Sequence, residues 1–253
     1  MKNKTISISL IVLLLIGALH FASNSGLGVS AMQKINENYP DNIIDFNDRT
    51  QSDDPEERSR GYVKPEPRVF VPPSEESLKL TQEQVQAFDC QTIEDATVSE
   101  CEGLVALYES TNGAAWTNNT NWLQTKTVGD WYGIQTNYEN IWGLLLNENN
   151  LVGTLPPEIG NLSELEYLML HKNFISGNLP SELSQLKKLE FLQLQNNLLS
   201  GPILSDIGMM TNLRIINVTN NHFSGHIPAS LGQLNHIWGL YLCNNELTGR
   251  IPA

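Results

Sequence analysis

One spacing limits what this chain can become. Ile141, Leu165, Leu189, Leu213 and Ile237 follow one another at intervals of 24 residues without an insertion. Each opens a unit that ends on nearly the same phrase: "NNLVGTLPPE" from Asn149, "KNFISGNLPS" from Lys172, "NNLLSGPIL" from Asn196, "NNHFSGHIPA" from Asn220 and "NNELTGRIPA" from Asn244. A unit this short cannot bury its own apolar face, so its copies must stack.

The columns of the repeat say how. In the unit starting at Leu165, Leu165, Leu168 and Leu170 point inward, the last two from one side of a short strand. Asn173 enters the following turn, and the asparagines at 149, 173, 197, 221 and 245 are expected to form a ladder. A carboxamide both donates and accepts, so such a ladder satisfies loop backbone groups that water cannot reach. A glycine column runs through Gly153, Gly177, Gly201, Gly225 and Gly249. A proline column at 156, 180, 228 and 252 stiffens the far side and is broken by Leu204.

Four segments are expected along the 253 residues. Lys2 and Lys4, an apolar run from about Ile6 to Ala22 and the small residues Val29 and Ala31 read as a signal peptide over 1–31. No later segment is apolar enough for an integral membrane span. Residues 32–89 read as an acidic disordered spacer, with a short helix at most near Thr81 to Phe88. Residues 90–140 read as an N-terminal cap. Thr97 and Glu100 have capping-box spacing ahead of a helix to about Ser110, which Asn112 and Gly113 stop. Trp116, Trp122, Trp131 and Trp142 are expected to fill that cap. Residues 141–253 are five repeat units, the last incomplete.

Charge and cysteine usage narrow the partners. The net charge is −13, with 17 acidic and seven basic residues between 32 and 102, so there is no basic surface for nucleic acid. Export implies an oxidising compartment, where Cys90 and Cys101 are the natural disulfide and Cys243 is a free thiol.

The unit "LEYLMLHKNFISGNLPSELSQLKK" resembles the plant-specific class of leucine-rich repeat, LxxLxLxxNxLxGxIPxxLxxLxx, and five units match over 113 residues. Upstream, "ECEGLVALYESTNGAAWTNNTNWLQTKTVGDWYGI" resembles the amino-terminal cap of secreted leucine-rich repeat proteins. Such caps often carry a cysteine pair around the Trp-Tyr-Gly step, where this chain has Gly129, Asp130, Gln135 and Thr136. The resemblance implies an α/β fold: a right-handed solenoid with a parallel concave sheet, irregular or helical turns opposite, and a concave face that recognises other molecules.

Strand register then sets Gly143, Tyr167, Phe191, Ile215 and Gly239 in one exposed column, and Leu145, Met169, Gln193, Asn217 and Tyr241 in the next. Asn147, His171, Gln195, Thr219 and Cys243 form a third. The candidate ligand-binding residues are Tyr167, Met169, His171, Phe191, Gln193, Gln195, Ile215, Asn217 and Tyr241, an apolar and amide strip in a place where solvent is expected. It suits a protein or peptide, with a short glycan as the alternative, and no cofactor is implied. Glu166 and Glu190 on adjacent strands have the separation of a retaining glycosidase pair. Arg214 on the next rung and Lys172 nearby make a charge ladder the simpler reading, so no catalytic residue is assigned. The histidines at 171, 222, 226 and 236 fall in different columns and form no metal triad. N-glycosylation motifs stand at Asn118, Asn161 and Asn217, the last inside the concave strip.

The expected function is a non-catalytic, secreted or surface-displayed binding module. The alternatives are the ectodomain of a signalling receptor, an inhibitor of cell-wall-degrading enzymes and, third, a carbohydrate-active enzyme. No polar cap follows Ala253, so the sequence is expected to be a fragment of a longer chain or to have its last coil covered by a partner.

Overall fold

The structure, a computed structural model, describes residues 70, 72–137 and 139–252. The expected leader over 1–31 and the spacer as far as residue 69 lie outside the described residues. The far end of that spacer is a correction: α1, Glu75–Ala87, is a thirteen-residue helix. Ser74 caps it, accepting from the Ser77 N–H, and Glu75 and Glu76 sit in its first turn, where the helix dipole favours negative charge. Its buried Thr81 donates to Asn112 Oδ1 at 3.0 Å, and Val85 and Phe88 pack on the core. Composition alone hid this, because the helix is largely polar and its few core-facing residues work only against the cap.

The cap is centred on α2, Val98–Ser110. Both arms of its capping box form: the Glu100 N–H donates to Thr97 Oγ1, and the Thr97 N–H donates to Glu100 Oε2. The other oxygen of Glu100 accepts from the Ile141 N–H at 3.1 Å, so one buried carboxylate joins the helix start to the first repeat strand. Cys90 and Cys101 are disulfide-bonded. Asn112 ends the helix in the left-handed region, φ 55°. Trp116, Trp122 and Trp131 are buried, with ring centroids 4.8 Å and 5.0 Å apart along the series, and Tyr108 stacks on Trp122 at 5.8 Å. Trp142 departs from expectation, since it leaves the cap and lies edge-on to Tyr167, 5.7 Å away. The Asp95 carboxylate accepts from the Val128 and Gly129 N–H groups at 2.7 and 2.8 Å, tying the segment before α2 to the turn ahead of Trp131.

Each repeat contributes a strand to two sheets. The first has the order β1-β2-β4-β6-β8-β10, with β1 (Ile134–Thr136), β2 (Ile141–Leu145), β4 (Tyr167–Met169), β6 (Phe191–Gln193), β8 (Ile215–Asn217) and β10 (Gly239–Tyr241). Its members are parallel except β1, which runs antiparallel to β2 and covers that edge. The second sheet was not expected. It joins β3 (Val152–Thr154), β5 (Phe174–Gly177), β7 (Leu198–Gly201), β9 (His222–His226) and β11 (Glu246–Thr248), so the segment after each ladder asparagine is extended and paired. His222 and His226 are the two ends of β9. Short 3-10 turns at Pro157–Asn161, Ser181–Gln185, Ile207–Met209 and Ala229–Gln233 line the remaining side.

Between the sheets the inward leucines are out of water: Leu168 and Leu192 are fully buried and Ile216 nearly so, while Leu240 in the last coil is 43% exposed because no described coil lies over it. Each such burial is worth about 1.5–3 kcal/mol. The asparagines hold the turns. Asn173 accepts from the Asn149 and Leu151 N–H groups at 2.9 and 3.1 Å and donates to the Leu146 and Leu170 carbonyls at 2.8 and 2.9 Å. Asn197, Asn221 and Asn245 repeat the pattern, accepting from Ile175, Leu199 and Phe223. Asn149 starts it by bonding the backbone of Asn118. Only glycine fits at position 153, where φ is +147° and a Cβ would lie 1.9 Å from the Ser110 carbonyl oxygen, so the cap and first coil meet backbone to backbone.

Candidate functional site

The parallel sheet sets its outward residues in register. Tyr167 pairs with Phe191 and Phe191 with Ile215, while Met169, Gln193, Asn217 and Tyr241 follow one another on the neighbouring column. The solvent exposure expected for them holds only in part. Phe191, Gln195, Asn217 and Tyr241 are half-buried, whereas Tyr167, Met169, His171, Gln193 and Ile215 are all at or below 6% exposed. Strand spacing of about 4.8 Å is close to the thickness of stacked rings, and the large side chains use it. The Tyr167 and Phe191 rings lie 4.8 Å apart and 7° from parallel, with Trp142 against the other side of Tyr167. Among the described residues the buried hydroxyl of Tyr167 has no hydrogen-bond partner, nor do the side-chain oxygens of Asn147 and Gln195.

Beside the rings runs a column at the same 24-residue spacing: Trp142, Glu166, Glu190, Arg214 and Trp238. Arg214 donates through Nε to Glu190 at 2.9 Å and through Nη2 at 3.4 Å, and its guanidinium lies 4.7 Å from the centre of the Trp238 ring. Lys172 is not part of this group, since it pairs with Glu148 one coil away. Both residues of that pair hold left-handed backbone, φ 57° and 55°, where Asn196, Asn220 and Asn244 stand in later coils. Lys188 is bound to Glu164. Glu166 is a half-buried carboxylate in no salt bridge among the described residues, although the ammonium of Lys188, bound to Glu164, still attracts it. Burial, and then the charge of Glu190, push its pKa above the usual carboxylate range. Burial raises Glu190 as well, against the opposing pull of Arg214. The Tyr167 hydroxyl is pushed far up, by burial first and then by Glu190 and Glu166.

Sequence reasoning found the columns. It missed the Arg214–Trp238 contact, although both residues sit one position before the first outward column in successive repeats. Among the described residues no group of three or more His, Cys, Asp or Glu side chains is placed to hold a metal ion. No helix among them is long and apolar enough to cross a membrane.

Stacked 24-residue coils with an asparagine ladder and two strands per turn define a leucine-rich repeat solenoid. The Leucine Rich Repeat family matches residues 164–186, 188–210 and 212–234, and this is a leucine-rich repeat protein with repeats of the plant type. No curated protein sequence matches the chain. Among solved structures it is similar to the BIR2 ectodomain from Arabidopsis thaliana, with 29% identity over 60% of this chain and 83% of that one and a TM-score of 0.54. A chain of the BIR3–SERK2 complex from the same plant is similar at 28% identity, covering 60% of this chain and 84% of the other, with a TM-score of 0.52. A plant ice-binding protein is similar at 26% identity and a TM-score of 0.56, over 60% of this chain and 50% of that one, so this sequence spans half its length.

Proposed function

We propose that the chain is a secreted or cell-surface binding module, without catalytic activity, whose concave sheet holds an extended protein or peptide segment carrying a basic side chain. One observation carries this reading: Glu166, half-buried and in no salt bridge among the described residues, stands next to the stacked rings of Tyr167 and Phe191. Desolvating an unpaired carboxylate is unfavourable, and a guanidinium or ammonium from a ligand removes that penalty while lying over aromatic faces. Phe191, Gln195, Asn217 and Tyr241 are the half-exposed residues that such a ligand reaches first. Similarity to the BIR2 ectodomain supports a place outside the cell, and the alternatives are the sensing part of a receptor and an inhibitor of cell-wall-degrading enzymes. A glycosidase is disfavoured because Arg214 engages Glu190, one of the two carboxylates it needs.

The test is selection of short linear peptides from a display library on the immobilised protein. Enriched binders are expected to contain Arg or Lys and to weaken at least tenfold toward Glu166→Gln and Phe191→Ala, both of which should still unfold in a cooperative transition. Enriched peptides that bind both variants as tightly as the parent would place the site elsewhere.

A second reading rests on a different feature. Asn196, Asn220 and Asn244 form an outer row in which the Nδ2 of Asn220 donates to Asn196 Oδ1 at 2.7 Å and that of Asn244 to Asn220 Oδ1 at 2.6 Å. A regular amide row is a template for ordered water, and one similar structure is an ice-binding protein. The row is only three residues long, and unhindered recrystallisation of ice at micromolar protein would dispose of it.

A further inference from the structure

Of the four N-glycosylation motifs, the one at Asn3 lies outside the described residues, and two of the other three are poorly placed for a sugar. Asn161 donates its Nδ2 to the Ser99 carbonyl at 3.1 Å, tying the first 3-10 turn of the repeats to the start of α2, and its Cβ lies 3.5 Å from where a side chain on Gly103 would begin. Its nitrogen is occupied and its surroundings are tight. Asn217 is in β8, paired on one side with Gln193 and on the other with Tyr241, so a sugar there would have to stand among side chains packed at strand spacing.

Asn217 Oδ1 also accepts from the Thr219 N–H, at 3.1 Å, so what sets Asn118 apart is its place outside the strands and the added contact with its motif hydroxyl. The Asn118 backbone is clamped, the N–H donating to Asn149 Oδ1 at 2.6 Å and the carbonyl accepting from Asn149 Nδ2 at 2.9 Å. Asn119 anchors the next position through Nδ2 to the Gly113 carbonyl at 3.0 Å. The Asn118 side chain is folded into a turn in which Oδ1 accepts from both the Thr120 N–H and the Thr120 hydroxyl, at 3.0 and 2.7 Å. That uses the oxygen and leaves Nδ2 without a hydrogen bond among the described residues, between the exposed residues Thr117 and Thr120. The acceptor amide and the hydroxyl of the motif are thus already in contact, on a rigid loop outside both sheets.

We infer that Asn118 is the N-glycan acceptor of this chain and that Asn161 and Asn217 are not. In the transfer, Nδ2 attacks the anomeric carbon of a lipid-pyrophosphate-linked oligosaccharide. The nitrogen–carbon bond forms, the bond from that carbon to the pyrophosphate oxygen breaks, and the lipid pyrophosphate leaves with the electron pair. One Nδ2 proton passes to a base of the transferase. A glycan at this position projects from the cap and leaves the strands carrying Tyr167 and Phe191 open.

The experiment expresses the full chain in yeast with a heterologous secretory leader fused ahead of Met1, so that entry into the pathway does not depend on residues 1–31. Glycopeptides from medium and membrane fractions are read by mass spectrometry after enzymatic release that converts a modified asparagine to aspartate. The expected result is conversion at Asn118 and at neither Asn161 nor Asn217. It should vanish in Asn118→Gln and Thr120→Ala, return in Thr120→Ser, and persist in Asn161→Gln and Asn217→Gln. An unconverted Asn118, or conversion of Asn161 or Asn217 to a comparable extent, overturns the assignment.

Discussion

Replacing Asn173 by alanine strikes the ladder at mid-stack, and the structure gives the size of the effect. Asn173 is 2% exposed and is the acceptor for two buried N–H groups, those of Asn149 and Leu151. Each orphaned donor costs about 1–3 kcal/mol when water cannot replace the lost partner. Two of them give about 4 kcal/mol, with little added by the small volume removed. Asn245 provides the internal control. It is half-buried at the last coil and accepts only from the Phe223 N–H, so Asn245→Ala should cost about 1 kcal/mol. The assay is urea unfolding followed in parallel by tryptophan fluorescence, which reports chiefly on the cap, and by far-ultraviolet circular dichroism, which reports on the sheets. In a stack held by nearest-neighbour contacts, a break in the middle should also part the two transitions, leaving the cap more stable than the coils beyond it. The reasoning fails if Asn173→Ala costs less than Asn245→Ala, or less than about 1 kcal/mol by either probe.

Two further outcomes follow from the charges and the covalent link. Glu166 has a folded pKa above its unfolded value, so its ionised form opposes folding at neutral pH, and the native state regains that stability as pH falls through the raised pKa. Glu166→Gln should therefore unfold at a higher temperature than the parent at pH 7, with the difference closing on acidification; a gap that widens toward acid contradicts the burial of this carboxylate. Reduction of Cys90–Cys101, which closes a short loop with a sequence separation of 11, should lower stability by about 2–4 kcal/mol, measured as a lower urea midpoint in the Cys90→Ala, Cys101→Ala double variant.

Much of the fold was legible because it is written five times. The columns at 168, 192 and 216, the ladder from Asn149 to Asn245 and the Thr97–Glu100 box are local rules whose geometry follows from spacing alone. What escaped notice depends on contacts between distant residues. The first helix has little apolar content of its own, and Thr81 makes sense only against Asn112, 31 residues away. Asp95 holds the Val128 and Gly129 amides from 33 and 34 residues away, and nothing local marks an aspartate for that work. The second sheet follows from the left-handed turn before each ladder asparagine, which returns the chain to extended backbone. At the candidate site, alternation placed the outward columns correctly but not their burial. Exposure depends on the sizes of neighbours, and Trp142, Tyr167 and Phe191 are large enough to shield one another.

The polarity of the ladder bears on how the chain is made. Asn173 bonds backbone groups of residues 146, 149, 151 and 170, and Asn197, Asn221 and Asn245 likewise reach only toward residues already synthesised. A turn therefore stays open on the ribosome until the asparagine of the next unit emerges, and then it latches. Assembly advances as a zipper with one direction, each newly made coil finishing the one before it, and a stall anywhere in translation exposes the unlatched groups of a single turn.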